Sequence, residues 1–183
     1  FADRYLLFDQ KNIPIVRNRL QIDEDKISLV KDYDQTGETV ALLDVPRNQI
    51  ELNAALEKDY QQIYLRFLLD QLPVEQIPAK NYFGAVLKYI YSHPTLKPAD
   101  YRTVAPYLGL DYDSVLFILR VFFELGFVKL DEGKLVGEPS PKKQPLTASK
   151  YLMGTSSQIK FVNQLRTMPS QRLITYINNL ANN

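Results

Sequence analysis

The sequence predicts a mixed α/β protein (α+β overall): an α/β half with a βαβ unit, then a winged-helix domain, then a short helical segment. At the start of the chain, short runs of β-forming residues alternate with a helical pattern. In the middle, a long apolar helix ends at a glycine and leads into two short strands. Prolines and two amphipathic patterns follow. We place the three segments at residues 1–77, 78–137 and 138–183.

The first segment is expected to form a small, partly parallel sheet. Its predicted strands are residues 4–9, 27–33, 39–45 and 62–69, with a turn at 34–37. Residues 46–59 predict a helix whose inner side carries Ile50, Leu52, Ala55 and Leu56. Strand, helix and strand form one βαβ unit, which implies a parallel pair of strands. Because the loop at 44–48 has no glycine to cradle a phosphate, a dinucleotide site is not expected.

The second segment has the pattern of a winged helix-turn-helix. The prolines within residues 72–80 mark its boundary with the first segment. Its first helix is predicted at residues 79–93, with an inner face formed by Phe83, Val86, Leu87 and Ile90. After residues 99–109, the spacing of Ala105, Gly109 and Val115 matches the small, turn and core positions of a helix-turn-helix.

The next helix and the strands after it complete this pattern. Asp113 is the predicted N-cap of the helix, and Gly126 is its predicted C-terminal stop. Residues 127–136 predict two strands around a tight Asp-Glu-Gly turn, the wing of such a domain. We expect Phe122 and Phe123 to be largely buried, because the helix is apolar on most sides.

A helix that reads DNA bases needs polar, preferably basic, side chains on its outer face. The residues of this helix that can face solvent are Asp113, Ser114, Arg120 and Glu124. Arg120 and Glu124 are four residues apart and are expected to pair with each other. The outer face is then neutral or acidic, so we expect a structural or protein-docking winged helix rather than one that reads bases.

The third segment is expected to be basic and partly helical. Three prolines, Pro139, Pro141 and Pro145, precede predicted short helices at residues 156–167 and 169–180, which should pack on the rest. Residues 1–78 carry nine basic and fourteen acidic residues, whereas residues 139–183 contain no Asp or Glu. The candidate binding residues are the cations of this acid-free run: Lys142, Lys143, Lys150, Lys160, Arg166 and Arg172. Such a charge split indicates an anionic partner, or else a solvated tail.

Catalytic chemistry is not expected in this chain. There is no cysteine, and the single histidine, His93, precedes a proline at a helix end and is interpreted as a capping or surface residue. Asp23, Asp25 and Lys26 have the spacing of some metal-dependent nucleases, with Asp9 or Asp44 as a nominal further ligand, but a solvated turn before a strand explains them better. We therefore predict no catalytic residue, no metal site and no cofactor. Membrane spans are not expected either, because no run of 18 apolar residues occurs.

Three motifs are similar to those of one known family. They are YFGAVLKYI at residues 82–90, VLFILRVFFELGFVKLDEGKL at 115–135, and SPKKQPLTASKYL at 140–152. The strands in VALLDVP and IYLRF also look like that family's first half. By these residues, nearly the whole chain resembles the C-terminal domain of the single-strand-DNA-specific exonuclease RecJ, in the form of low-GC Gram-positive bacteria.

The resemblance implies an accessory, non-catalytic domain of a cytoplasmic 5′–3′ exonuclease in DNA recombination and repair. Catalysis would reside in upstream domains that bind Mn²⁺ or Mg²⁺, and the first residue, Phe1, fits an excised piece. The expected partners are those upstream domains, single-stranded DNA, and a protein such as the single-strand-binding protein. Two alternatives stay open: a winged-helix transcription regulator with an α/β sensing domain, and a small nuclease that uses Asp23, Asp25 and Lys26.

Overall fold

The computed structural model describes residues 2–168 of the chain. By their contacts, the described residues divide into two compact units: residues 2–71 with 160–168, and residues 72–159. The predicted helix at 169–180 and the candidate cation Arg172 lie outside the described residues. In the described part of the chain, no helix is long and apolar enough to cross a membrane.

The first unit contains a four-stranded parallel sheet. Its strands are β1 (Arg4–Leu7), β2 (Ile27–Leu29), β3 (Thr39–Asp44) and β4 (Gln62–Leu69), in the order β2-β1-β3-β4. The parallel pairing of β3 with β4, predicted from the βαβ pattern, is confirmed. Strand β2 is shorter than predicted because residues Val30–Asp32 turn into a 3-10 helix.

Two helices connect these strands. Helix α1 (Ile13–Arg19) was not predicted, since it has only 7 residues and carries a proline in its first turn. Helix α2 (Gln49–Leu56) lies within the predicted stretch and begins at Asn48, whose side chain accepts a hydrogen bond from the backbone N–H of Glu51. The prediction that Ile50 faces inward was wrong, because its side chain is 79% exposed.

The core of the first unit is built on the two central strands. Residues Val40 to Val45 are all buried, as expected for a parallel strand that is covered on both faces. Leu7 and Leu43 join Val16 of α1 in one apolar cluster, whereas Leu6 and Leu42 point to the opposite face by strand alternation. The apolar pattern of residues 39–45 therefore indicated the strand that becomes the most buried in the sheet.

The second unit contains three helices and a hairpin, followed by the first part of a longer helix described below. The helices are α3 (Lys80–Ser92), α4 (Tyr101–Tyr107) and α5 (Tyr112–Leu125), and the hairpin strands are β5 (Val128–Asp131) and β6 (Lys134–Gly137). Gly126 ends α5 in the left-handed conformation, with φ 72°, as predicted. The hairpin turn also has positive φ at both of its central residues, Glu132 and Gly133, which is the two-residue turn that suits the twist of paired strands.

Two details of α5 differ from the prediction. Its N-cap is Asp111, not Asp113: the Asp111 carboxylate accepts a hydrogen bond from the backbone N–H of Ser114 at 2.7 Å. Phe122 is buried as expected, but Phe123 is 41% exposed. Adjacent positions on a helix are rotated by about 100°, so the core can accept only one of the two rings.

The last described helix, α6, spans Lys150–Thr167. It begins before the predicted start at Ser156 and is correspondingly longer. Its inner positions Val162 and Leu165 are buried, as the helical spacing indicates. The physical reason for the early start is a set of hydrogen bonds from α5, which also shapes the candidate site.

Candidate nucleic-acid interface

Lys142 and Lys143 lie in an exposed loop of the second unit, between β6 and a 3-10 turn at Leu146–Ala148. Hydrogen bonds hold this loop at both ends. The backbone N–H of Glu138 donates to the carbonyl of Phe127 at 2.9 Å, and the Gln144 amide donates to the carbonyl of Leu125 at 2.6 Å. Within residues 2–168, no carboxylate forms an ion pair with either lysine. The pair therefore presents two positive charges to solvent.

Glu124 of α5 caps the beginning of α6. Its carboxylate accepts hydrogen bonds from the Ser149 hydroxyl at 2.5 Å and from the backbone N–H groups of Lys150 and Tyr151 at 2.7 and 3.2 Å. The buried Ser149 hydroxyl in turn accepts from the backbone N–H of Leu152 at 3.0 Å. The first N–H groups of a helix need such partners, and an anion there also complements the helix dipole. This arrangement explains why α6 starts at Lys150.

The predicted ion pair between Arg120 and Glu124 does not form, because the Glu124 carboxylate faces α6 instead. The Arg120 guanidinium instead lies over the Tyr151 ring, 4.2 Å from its centroid. Lys150 keeps an exposed side chain, but the Glu124 carboxylate is close enough for the two charges to attract each other. Part of the positive charge of the acid-free run is thus balanced by a carboxylate from another helix.

Acid should loosen this cap. The hydrogen bond from Ser149, with those from the backbone of Tyr151 and Lys150, lowers the pKa of the Glu124 carboxyl below its ordinary value. The contribution of this carboxylate to stability is complete above the ordinary glutamate pKa and is lost as pH falls through the lowered one. We expect hydrogen exchange at residues 150–152 to accelerate in that acid range, beyond the intrinsic pH effect. Exchange in Glu124→Gln should lack this transition, whereas Glu132→Gln, a change in the exposed hairpin turn, should retain it. Equal behaviour of both variants would contradict the cap.

The two candidate cations in the first unit differ from each other. Arg166 forms an ion pair with Asp70 at 2.8 Å, and its Nε donates to the carbonyl of Phe67 at 3.3 Å. Phe67 has a φ of 47° at an irregularity in the pairing of β3 with β4, so the arginine supports a strained strand. Lys160 is exposed, and no carboxylate within residues 2–168 pairs with it. Arg166 therefore has a structural partner, whereas Lys160 keeps its charge available.

An apolar groove of about 560 Å³ lies beside the lysine loop in the second unit. Its walls include Phe83, Leu87, Phe122, Phe127, Leu146 and Leu152. The exposed Lys80 and the loop residue Gln144 also line it, and Gln144 directly follows the lysine pair. Sequence reasoning missed this groove, because its walls come from three helices and two loops that no local pattern connects.

The acidic residues considered for a nuclease do not assemble around a common point in the described structure. No group of three or more His, Cys, Asp or Glu residues within residues 2–168 could hold a metal ion. Asp44 is fully buried, and its carboxylate accepts hydrogen bonds from the backbone N–H groups of Phe8 and Asp9 and from the Asn12 amide at 2.7, 3.0 and 3.0 Å. Asp23, Asp25 and Lys26 are exposed around a 3-10 turn.

Asp44 occupies a position where open α/β sheets often bind ligands. The chain order reverses between β1 and β3, and ligands commonly bind at the carboxyl ends of such strands. Here the buried Asp44 carboxylate closes that position by binding the chain that leaves β1, and Asp9 pairs with Arg47 nearby at 3.6 Å. Burial raises the pKa of Asp44 despite these hydrogen bonds. Its geometry is that of a structural residue.

His93 is found at the C-terminal end of α3, as predicted. It is exposed, and its backbone N–H donates to the carbonyl of Ile90 at 3.2 Å. Its ring Nδ1 lies 2.9 Å from the carbonyl oxygen of Tyr89. The interpretation as a capping and surface residue is confirmed.

Comparison with known proteins gives two matches. The family described as "single-strand DNA-specific exonuclease, C terminal domain" matches residues 1–177. The single-stranded-DNA-specific exonuclease RecJ of Bacillus subtilis (strain 168) is 26% identical over 153 residues, which cover 82% of this chain and 20% of that relative. The chain thus spans about a fifth of the length of the curated relative. No solved structure matches it.

Proposed function

The chain belongs to the family of the C-terminal domain of single-strand DNA-specific exonucleases, and on that premise we propose that it is a non-catalytic module that binds single-stranded DNA. The observation that carries this proposal is the exposed Lys142–Lys143 pair, held in an anchored loop within a run that has no acidic residue. Positive charges of this kind bind a phosphate backbone without reading its sequence. Catalysis during recombination and repair, with its Mn²⁺ or Mg²⁺, is then the task of other domains of a longer polypeptide. Family membership does not favour a transcription regulator.

We also propose that α3, α4, α5 and the β5–β6 hairpin form a winged helix that serves as a scaffold. The order of these elements and the buried Ala105 and Val115 on either side of Gly109 support this assignment. On α5, Arg120 is stacked on Tyr151 and Glu124 is engaged by α6. Its outer face therefore has few groups available to read bases, and the expected DNA binding is independent of sequence.

Removing the lysines should weaken the binding of single strands and reduce its dependence on salt. For a variant with Lys142, Lys143 and Lys150 changed to alanine, the slope of log affinity against log salt should flatten by about 0.7 per lost phosphate contact. Fluorescence anisotropy of a labelled oligothymidylate over a range of salt concentrations measures this. The matched control changes Lys11, Lys26 and Lys31, which are exposed in the acidic first segment. Equal losses in both triple variants would attribute the binding to net charge and refute the proposed surface.

The groove favours a second candidate function, the docking of an acidic peptide. A peptide with a bulky apolar residue fits a groove lined by Phe83, Phe122 and Phe127, while Lys80 and the lysine pair attract its acidic residues. The tail of a single-strand-binding protein is a partner of this chemistry. Titrating such a peptide in parallel with the oligonucleotide separates the two functions: if the peptide alone binds and the strand does not, docking replaces DNA binding as the function of this surface.

A further inference from the structure

Three aromatic side chains meet at the surface of the second unit, where α3 and α4 end. The rings of Tyr89 and His93 are stacked, with centroids 3.8 Å apart and planes inclined by 11°. The Tyr107 ring lies 5.9 Å from that of Tyr89 and is 78% exposed. Tyr89 and His93 are four residues apart at the end of α3, whereas Tyr107 belongs to α4, so packing of α4 beside the end of α3 brings the third ring to the other two.

Contacts within the protein restrain the rings of this cluster. His93 Nδ1 lies 2.9 Å from the Tyr89 carbonyl oxygen, an acceptor, so Nδ1 carries the hydrogen and the contact restrains the ring. The Tyr89 ring in turn contacts both of its aromatic neighbours. Single exposed apolar groups are ordinary on protein surfaces. Tyr107, however, lies beside a stacked pair of rings and buries little of its own surface there, so its position contributes little to folding.

The exposed charges near the cluster in sequence are mostly positive. Lys88 precedes Tyr89, and Lys97 lies on the segment that connects the two helices, whereas Arg102 of α4 lies over the Tyr112 ring, 4.0 Å from its centroid. The acid of this segment, Asp100, is engaged by the backbone N–H of Lys97 at 3.0 Å. Aromatic rings among cations are the combination with which proteins bind single strands, because every base has a face that stacks.

We infer that Tyr89, His93 and Tyr107 form a platform on which a base of single-stranded DNA stacks, with Tyr107 as its exposed contact. This inference rests on the proposed function and adds a second kind of contact to it: the lysine pair attracts phosphates, whereas the platform holds a base. Since stacking depends on a π face rather than on hydrogen bonds, the platform accepts any base. It is distinct from the apolar groove, whose lining residues it does not share.

The test compares a strand that has bases with one that lacks them. The 183-residue chain and its Tyr107→Ala variant are titrated with a labelled oligothymidylate and with an abasic oligonucleotide of equal length. Affinity for the oligothymidylate should fall roughly 5- to 150-fold in the variant, the range that corresponds to the loss of one stacked base. Affinity for the abasic strand should not change. Tyr107→Phe should bind like the wild type, because it retains the ring.

A matched control is Phe123→Ala, which removes another partly exposed aromatic ring from the same unit and should leave both affinities unchanged. Equal losses for the two strands in Tyr107→Ala, or no loss for either, would overturn the platform. If the triple lysine variant loses affinity while Tyr107→Ala does not, the platform fails and the proposed function stands. If the wild-type chain binds neither strand at low salt, the proposed function fails and the platform fails with it.

Discussion

Replacing Phe122 by alanine should lower the free energy of unfolding by about 3–5 kcal/mol, the range for truncation of a core phenylalanine. The ring is 1% exposed and meets Phe83 of α3 edge to face, with centroids 6.0 Å apart. Its ring centroid also lies 5.9 Å from that of Phe127, the first residue after the glycine that ends α5. One side chain thus links two helices and the start of the hairpin. Urea titration followed by circular dichroism measures the change.

The control is the adjacent Phe123→Ala. Its ring is 41% exposed, so the same truncation on the same helix should change stability by less than about 1 kcal/mol. A similar loss in both variants would mean that helix propensity or the denatured state, and not burial, sets the effect of Phe122. A small loss in Phe122→Ala would show that the three-helix core is assembled differently.

Replacing Asp44 by alanine should cost about 2–4 kcal/mol, because it leaves three hydrogen-bond donors without their acceptor. Those donors are the backbone N–H groups of Phe8 and Asp9 and the buried amide of Asn12. The cost is smaller than three full losses, since burying the carboxylate is itself unfavourable, as the raised pKa of Asp44 indicates. Chemical denaturation at neutral pH measures this loss.

Asp44→Asn separates the structural role from a metal-binding one. The side-chain amide of Asn at position 44 is itself partly a hydrogen-bond donor, so it cannot accept from all three donors. We therefore expect a destabilised protein with or without Mg²⁺ or Mn²⁺. A rise in the wild-type Tm on adding either ion that disappears in Asp44→Asn would instead establish a metal site and restore the nuclease alternative.

The pH dependence provides a further check. Because the pKa of Asp44 is raised in the folded state, titration of this group favours folding at low pH and reduces stability as pH rises through that pKa, opposite to Glu124.

Sequence patterns were sufficient wherever the cause of a structure lies within a few residues. The alternation and β-branched content of residues 39–45 predicted a buried strand, and Gly126 and Gly133 are glycines, which positive φ angles favour. The helical spacing of Phe83, Val86 and Ile90 likewise predicted the inner face of α3. The family resemblance depended on the same local motifs, and the family match confirms it.

The candidate surface shows where such reasoning ends. Residues 139–183 contain no acidic residue, yet Glu124 reaches the start of α6 from 25 positions before Ser149, and Asp70 pairs with Arg166 from 96 positions away. Sequence alone therefore overstated the unbalanced charge of this run. Composition counts charges along the chain, whereas electrostatic interactions depend on distances in space.

The sequence by itself determined most strands and helices of this protein, its family, and the exposed lysine pair between prolines. Tertiary structure alone decided which cations keep their charge free, where α6 begins, and which of two adjacent phenylalanines is buried. It also decided that Tyr107 lies beside the stacked rings of Tyr89 and His93. The physical reason is that local periodicity and turn chemistry involve neighbouring residues, whereas caps, ion pairs and aromatic clusters need partners that only packing brings within a few ångströms.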